Sequence, residues 1–153
     1  MIAQERGRLA DAEACYLQAL AVKKQFGLKP SYAVTCHQLG WLGQERGRPD
    51  EAESWYRQAL AVETELGDRI SMAKTLSQLG LLARDRGDLP GSLRWVIKSE
   101  TLYPEVPAMS AGSPRLVWLC ERMGIDAIEA CWREVTGGPI PPEVRDSLLS
   151  GTS

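Results

Sequence analysis

Cys36 and His37 are adjacent, and a thiol activated by an imidazole is a nucleophile for acyl transfer. Neighbours on a helix, however, point about 100° apart and do not face each other. Cys36 also falls on an apolar stripe, whereas thiolate chemistry requires an exposed, electropositive setting. Carboxylate pairs for acid–base work exist in Glu5 with Glu13 and Glu45 with Glu53, but the second pair repeats the first at equivalent positions. Such repetition marks a solvated helix surface. Cys15, Cys36, Cys120 and Cys131 contain no Cys-x-x-Cys pair, and their wide, irregular separations do not suit zinc. They read as small, mostly buried thiols in a reducing cytoplasm. The glycine-rich phosphate loop ending in Gly-Lys-Ser/Thr is absent. No catalytic residue, metal or cofactor is therefore expected, and the chain is not read as an enzyme.

Composition excludes further classes. With 18 basic and 20 acidic residues, the chain lacks the basic excess of a nucleic-acid binder. No apolar run approaches the roughly 18 residues of a membrane span. The start, Met1-Ile2-Ala3-Gln4-Glu5-Arg6, meets charge at once and has no apolar signal core. A cytoplasmic location is expected.

The elements that position these residues follow from a repeat. Gly7, Gly47 and Gly87 recur every 40 residues and head near-copies of one stretch. Gly7-Arg8, Ala12-Glu13, Tyr16 and Gln18-Ala19-Leu20-Ala21-Val22 return as Gly47-Arg48, Ala52-Glu53, Tyr56 and Gln58-Ala59-Leu60-Ala61-Val62. Such self-similarity marks stacked units, each burying its apolar face against its neighbours. Ala12, Tyr16, Ala19 and Leu20 lie on one helix face, as do Ala52, Tyr56, Ala59 and Leu60. A second stripe, Ala33, Cys36, Leu39, Gly40 and Gly43, returns as Ala73, Leu76, Leu79, Gly80 and Ala83. Gly47-Arg48-Pro49-Asp50 and Gly87-Asp88-Leu89-Pro90 break the chain between stripes. Each unit is thus two antiparallel helices, with Gly40 and Gly80 expected where they cross. No sheet is expected. By the same register, residues 2–6 match Leu42-Gly43-Gln44-Glu45-Arg46 and are expected to end the preceding helix.

At these residues the chain resembles the tetratricopeptide repeat family, whose pattern runs Trp-x2-Leu-Gly-x2-Tyr, Ala-x3-Phe, Pro. Here it reads Cys36-x2-Leu39-Gly40-x2-Gly43, then Ala52-x3-Tyr56. The next copy is Leu76-x2-Leu79-Gly80-x2-Ala83, Ser92-x3-Val96, Pro104. The resemblance implies an all-α fold, a right-handed solenoid of antiparallel helix pairs with a degenerate C-terminal helical cap. Two departures stand out. Gly43 and Ala83 replace an aromatic residue, so packing there must be tighter or filled from elsewhere. The period exceeds the usual length of about 34 residues, and the surplus falls around Val62-Glu63-Thr64-Glu65-Leu66-Gly67. A longer second helix of this kind is similar to kinesin light chain and bacterial signalling repeats.

The repeats are expected over 1–104, divided as 1–32, 33–72 and 73–104. A loop is expected over 105–113, and degenerate capping helices with a tail over 114–153. Within the cap, Pro114 to Met123 and Ala127 to Val135 read as a helix pair joined by Gly124-Ile125-Asp126, followed by a short helix from Pro142 through Leu149 with Ser150 to Ser153 frayed. The first unit lacks the front of its first helix. The chain therefore reads as the C-terminal part of a longer protein, able to associate with itself through the N-terminal end.

In the family, the first helix of each unit lines a concave groove. Carried over by register, the resemblance implies Val34, His37, Gln38, Trp41, Gln44 and Glu45, then Lys74, Ser77, Gln78, Leu81, Arg84 and Asp85, with Val117 and Trp118 from the cap. Trp41 is a plausible anchor for a partner, since aromatic residues dominate binding hot spots; packing against a neighbouring helix is the alternative. Lys74, Gln78 and Arg84 suit a carboxylate or an acidic peptide, with a plainly solvated surface as the alternative, and Gln38 and Gln78 stand where a carboxylate clamp has asparagine. The implied function is a protein- or peptide-binding scaffold in a bacterial signalling or regulatory protein. The alternative is a ligand-sensing arm controlling an upstream ATPase or protease domain.

Overall fold

The computed structural model describes residues 3–102 and 113–151. Among them the chain forms eight α-helices and no strand. They are α1 (Ala3–Gln25), α2 (Lys29–Glu45), α3 (Pro49–Leu66), α4 (Arg69–Asp85), α5 (Leu89–Glu100), α6 (Pro114–Met123), α7 (Ile125–Thr136) and α8 (Pro142–Gly151). The fold is a helical repeat of the solenoid class, built from consecutive helix pairs. Pro104 and residues 105–112 of the expected loop lie outside the described residues, as does Ile2; Ser113 caps α6 by accepting from Leu116 N–H.

The chain divides into two compact units, Met1–Thr75 and Leu76–Ser153. In the first, α2 and α3 are the closest pair. Ala33, Cys36, Leu39 and Leu42 of α2 are buried with Ala52, Tyr56 and Ala59 of α3. The crossing depends on glycine, because a Cβ at Gly40 would lie 2.6 Å from the Tyr56 ring. At Gly43, where the family pattern has an aromatic residue, a Cβ would meet the Ala52 backbone nitrogen at 3.0 Å. The departure is therefore a tighter contact, made with Ala52 of α3.

The turns are made by glycines, and they recur at 20-residue intervals rather than 40. Gly27, Gly47, Gly67 and Gly87 all hold φ between +65° and +78°, a left-handed conformation that costs other residues strain. Gly7 departs from this series. The expected break there does not occur, and α1 runs unbroken from Ala3 to Gln25. Gly7-Arg8-Leu9-Ala10 lacks the proline found at Pro49 and Pro90 in the equivalent helices, but Gly67 makes its turn without one, so the missing proline is not a sufficient cause. Residues 3–6 thus continue α1 instead of ending a separate helix. None of the α1 residues is fully buried; Ala12, Tyr16, Ala19 and Leu20 are half-buried.

The second unit is built on a core of Leu93, Val96, Ile97, Leu116, Leu119, Ile128, Trp132, Val144 and Leu148, drawn from α5 to α8. Gly80 approaches α5 here, and Ser92 Oγ donates to the Gly80 carbonyl at 2.8 Å. Two details differ from expectation. The turn before α7 is shorter, since the helix begins directly after Gly124, and α8 continues through Ser150 to Gly151. The cysteines also divide differently. All four are free; Cys36 and Cys120 are buried, but Cys15 is exposed and Cys131 half-buried.

Candidate functional site

In the first unit, packing of one side of α2 against α3 turns another side outward. Val34 and Trp41, two turns apart on that side, remain 56% and 50% exposed. Trp41 is the larger apolar surface, flanked by half-exposed Gln38 and exposed Glu45. The other residues of this row are engaged. Gln44 Oε1 accepts from the Tyr56 hydroxyl, and the His37 ring meets Tyr56 edge-on at 5.1 Å. Burial, together with the Lys74 ammonium, lowers the His37 pKa and keeps its imidazole neutral. His37 Nε2 is buried without a hydrogen-bond partner. Burial also pushes the Cys36 thiol up to about 11. Cys36 is fully buried and remains a thiol at neutral pH, so the adjacent Cys36 and His37 do not form a nucleophile pair.

The second unit brings Leu81 and Arg84 of α4 to Trp118 of α6. Together with Val96 and Leu119 they wall a surface cleft of about 170 Å³. The Arg84 guanidinium lies 5.8 Å from the centre of the Trp118 ring, and that of Arg122 stacks on it at 3.7 Å. Ser77 Oγ lies 3.4 Å from Ser99 Oγ, and Gln78 is half-exposed. Arg115, at the mouth of the cleft, and Arg122 were not anticipated from the sequence. Both sit on α6, where the register carried over Val117 and Trp118 but not these two positions.

A further polar feature joins successive helices in the first unit. Lys23 Nζ donates to Thr35 Oγ1 at 2.6 Å, and 40 residues on, Thr75 Oγ1 donates to Glu63 Oε1 at 3.0 Å. The same joint is therefore made once with an ammonium and once with a carboxyl. Glu63 is 3% exposed, and its Oε2 is buried without a partner. Burial raises its pKa, outweighing the hydrogen bond from Thr75, which lowers it. A carboxyl raised above its ordinary 4.5 binds its proton more tightly folded than unfolded. Stability is then greatest below that pH and declines as pH rises through the folded value. Glu63→Gln should remove this decline, read as melting temperature against pH from 4 to 8; an unchanged slope would show that Glu63 is not its source.

The packing stripe, the crossing glycines and the recurring turns define a class, the helix-hairpin repeat whose outward helix face is free to meet another chain. A family model described as Tetratricopeptide repeat matches residues 1–65, and over this stretch the chain is similar to that family. Repeats of this family generally mediate protein–protein interaction. No curated protein matches the chain. Among the described residues, no helix is long and apolar enough to cross a membrane.

Proposed function

We propose that this chain is a non-catalytic protein- or peptide-binding module. It engages partners through His37, Gln38, Trp41, Gln44, Glu45 and Lys74 in the first unit, and Ser77, Gln78, Leu81, Arg84 and Trp118 in the second. The observation that carries this reading is Trp41, half-exposed on the outward side of a helix whose other side is packed. A large aromatic ring beside polar neighbours gives contact area at little entropic cost. The 40-residue period, similar to that of bacterial signalling arrays, supports a role in such a protein. Four free cysteines are in keeping with a reducing cytoplasm. Half-buried Ala12, Tyr16, Ala19 and Leu20, whose counterparts Ala52, Tyr56 and Ala59 are buried, support self-association through α1 at high concentration.

The test is selection of a randomised displayed-peptide library on the whole chain. Enriched peptides should bind wild type and lose about tenfold or more in affinity with Trp41→Ala, the scale of a hot-spot residue. The melting curve of that variant should stay close to wild type. Failure to enrich any peptide family, or equal binding by Trp41→Ala, would count against this reading.

A further inference from the structure

Resting on that reading, we infer that the cleft between α4, α5 and α6 receives one apolar side chain of a partner polypeptide, with an adjacent Asp or Glu paired to Arg84. Its volume, about 170 Å³, compares with the about 150 Å³ of an engineered cavity that takes benzene. It lies below the roughly 300 Å³ at which small-molecule pockets begin. The space therefore suits a single Leu- or Phe-sized group rather than a free metabolite. The lining agrees, because Leu81, Val96, Leu119 and the Trp118 ring are apolar. Ser92, the uncharged polar residue beside Arg84 and Arg115 in the lining, already donates to the Gly80 carbonyl at 2.8 Å. A polar occupant would lose its water for few new hydrogen bonds, so burial of an apolar one is favoured.

The rim sets the charge. Arg115 faces Glu100, a buried carboxylate, at 3.7 Å and is already paired there. Arg122 stacks on Trp118 and donates to the Trp118 carbonyl at 3.2 Å. Arg84 differs, for its contact is with Asp85, the next residue, at 3.3 Å, with both side chains largely exposed. Such a pair is weak and readily exchanged. A carboxylate arriving beside the filled cleft would meet Arg84 next to the Trp118 ring, on which Arg122, itself 3.8 Å from Glu121, also stacks. An apolar residue flanked by an acidic one is the sequence feature that satisfies both cleft and rim.

The probe is the capped peptide Ser-Gly-Leu-Asp-Gly-Ser, titrated into the whole nitrogen-15-labelled chain while the indole N–H signals are followed. The Trp118 signal, assigned by its loss in Trp118→Phe, should shift saturably. Replacing the peptide leucine by alanine should weaken binding about tenfold or more, from the methylenes no longer buried. Replacing its aspartate by asparagine, or Arg84→Glu in the protein, should weaken it about three- to fivefold, the scale of an exposed ion pair. Arg84→Glu should leave the circular dichroism melt unchanged, since its side chain is exposed. Equal affinity for the aspartate and asparagine peptides would overturn the charge assignment. No Trp118 shift at millimolar peptide would overturn the cleft, while library peptides that still depend on Trp41 would leave the broader binding role standing. Shifts confined to Trp41 would place the motif on the first unit and overturn the inference as well.

Discussion

Gly40→Ala should destabilise the protein by about 1–3 kcal/mol, although alanine is the better helix former by about 1 kcal/mol. The added Cβ would fall 2.6–2.9 Å from three Tyr56 ring atoms. That ring is fully buried, and its hydroxyl is held by Gln44. It cannot swing aside without opening a void or giving up that bond, so the overlap outweighs the gain in propensity. Gly80→Ala is the matched control at the equivalent position. There the new atom would meet the Val96 methyl at 3.3 Å, a contact relieved by a shift of a few tenths of an ångström. Propensity then dominates, and Gly80→Ala should be neutral or stabilising by up to about 1 kcal/mol. Urea melts followed by circular dichroism separate the pair. Equal stability of the two variants would contradict the claim that Tyr56 makes the first crossing the tighter.

The second large effect is expected at Trp132. Its ring is 7% exposed and shares a core with Leu93, Ile97, Ile128 and Leu148. Truncation to alanine removes its apolar contacts and leaves a cavity that rigid helices close only in part. Losses of about 3–5 kcal/mol are typical of such a change, enough to consume much of a small domain's stability. Trp41→Ala deletes the same atoms from a half-exposed site, where much of the ring already contacts water. The two tryptophans should therefore separate widely in the midpoint of a urea melt. A Trp41 variant as damaged as Trp132→Ala would assign Trp41 to the core and remove it from the partner surface.

The helix pairs were legible because packing, turn and crossing each impose a residue type at a fixed interval. Ala52, Tyr56 and Gly40 show this most clearly. The continuity of α1 was missed because a glycine alone was read as a break, whereas Gly7 stays helical and does not take the left-handed conformation of Gly27, Gly47, Gly67 and Gly87. Glu63 was placed only within the stretch that lengthens the second helix. Its burial depends on where the start of α4 passes, a tertiary fact that helix periodicity does not contain. The outward direction of Trp41 followed from register. The cleft beside Trp118 did not, because it requires residues from three helices, one of them outside the regular repeat. The capture of Gln44 by Tyr56 was likewise invisible, since any exposed-looking glutamine fits the same register.

The joint made by Lys23 with Thr35 and by Glu63 with Thr75 bears on how such arrays diverge. A threonine hydroxyl both donates and accepts, so it receives an ammonium or a carboxyl without changing itself. One side of the joint can thus reverse its charge by mutation while the other side stays constant. After duplication, a copy need not wait for a compensating substitution across the seam before its charge drifts. The hydroxyl acts as a neutral coupling, and each successive unit can acquire its own electrostatic character while the stacking geometry is inherited intact.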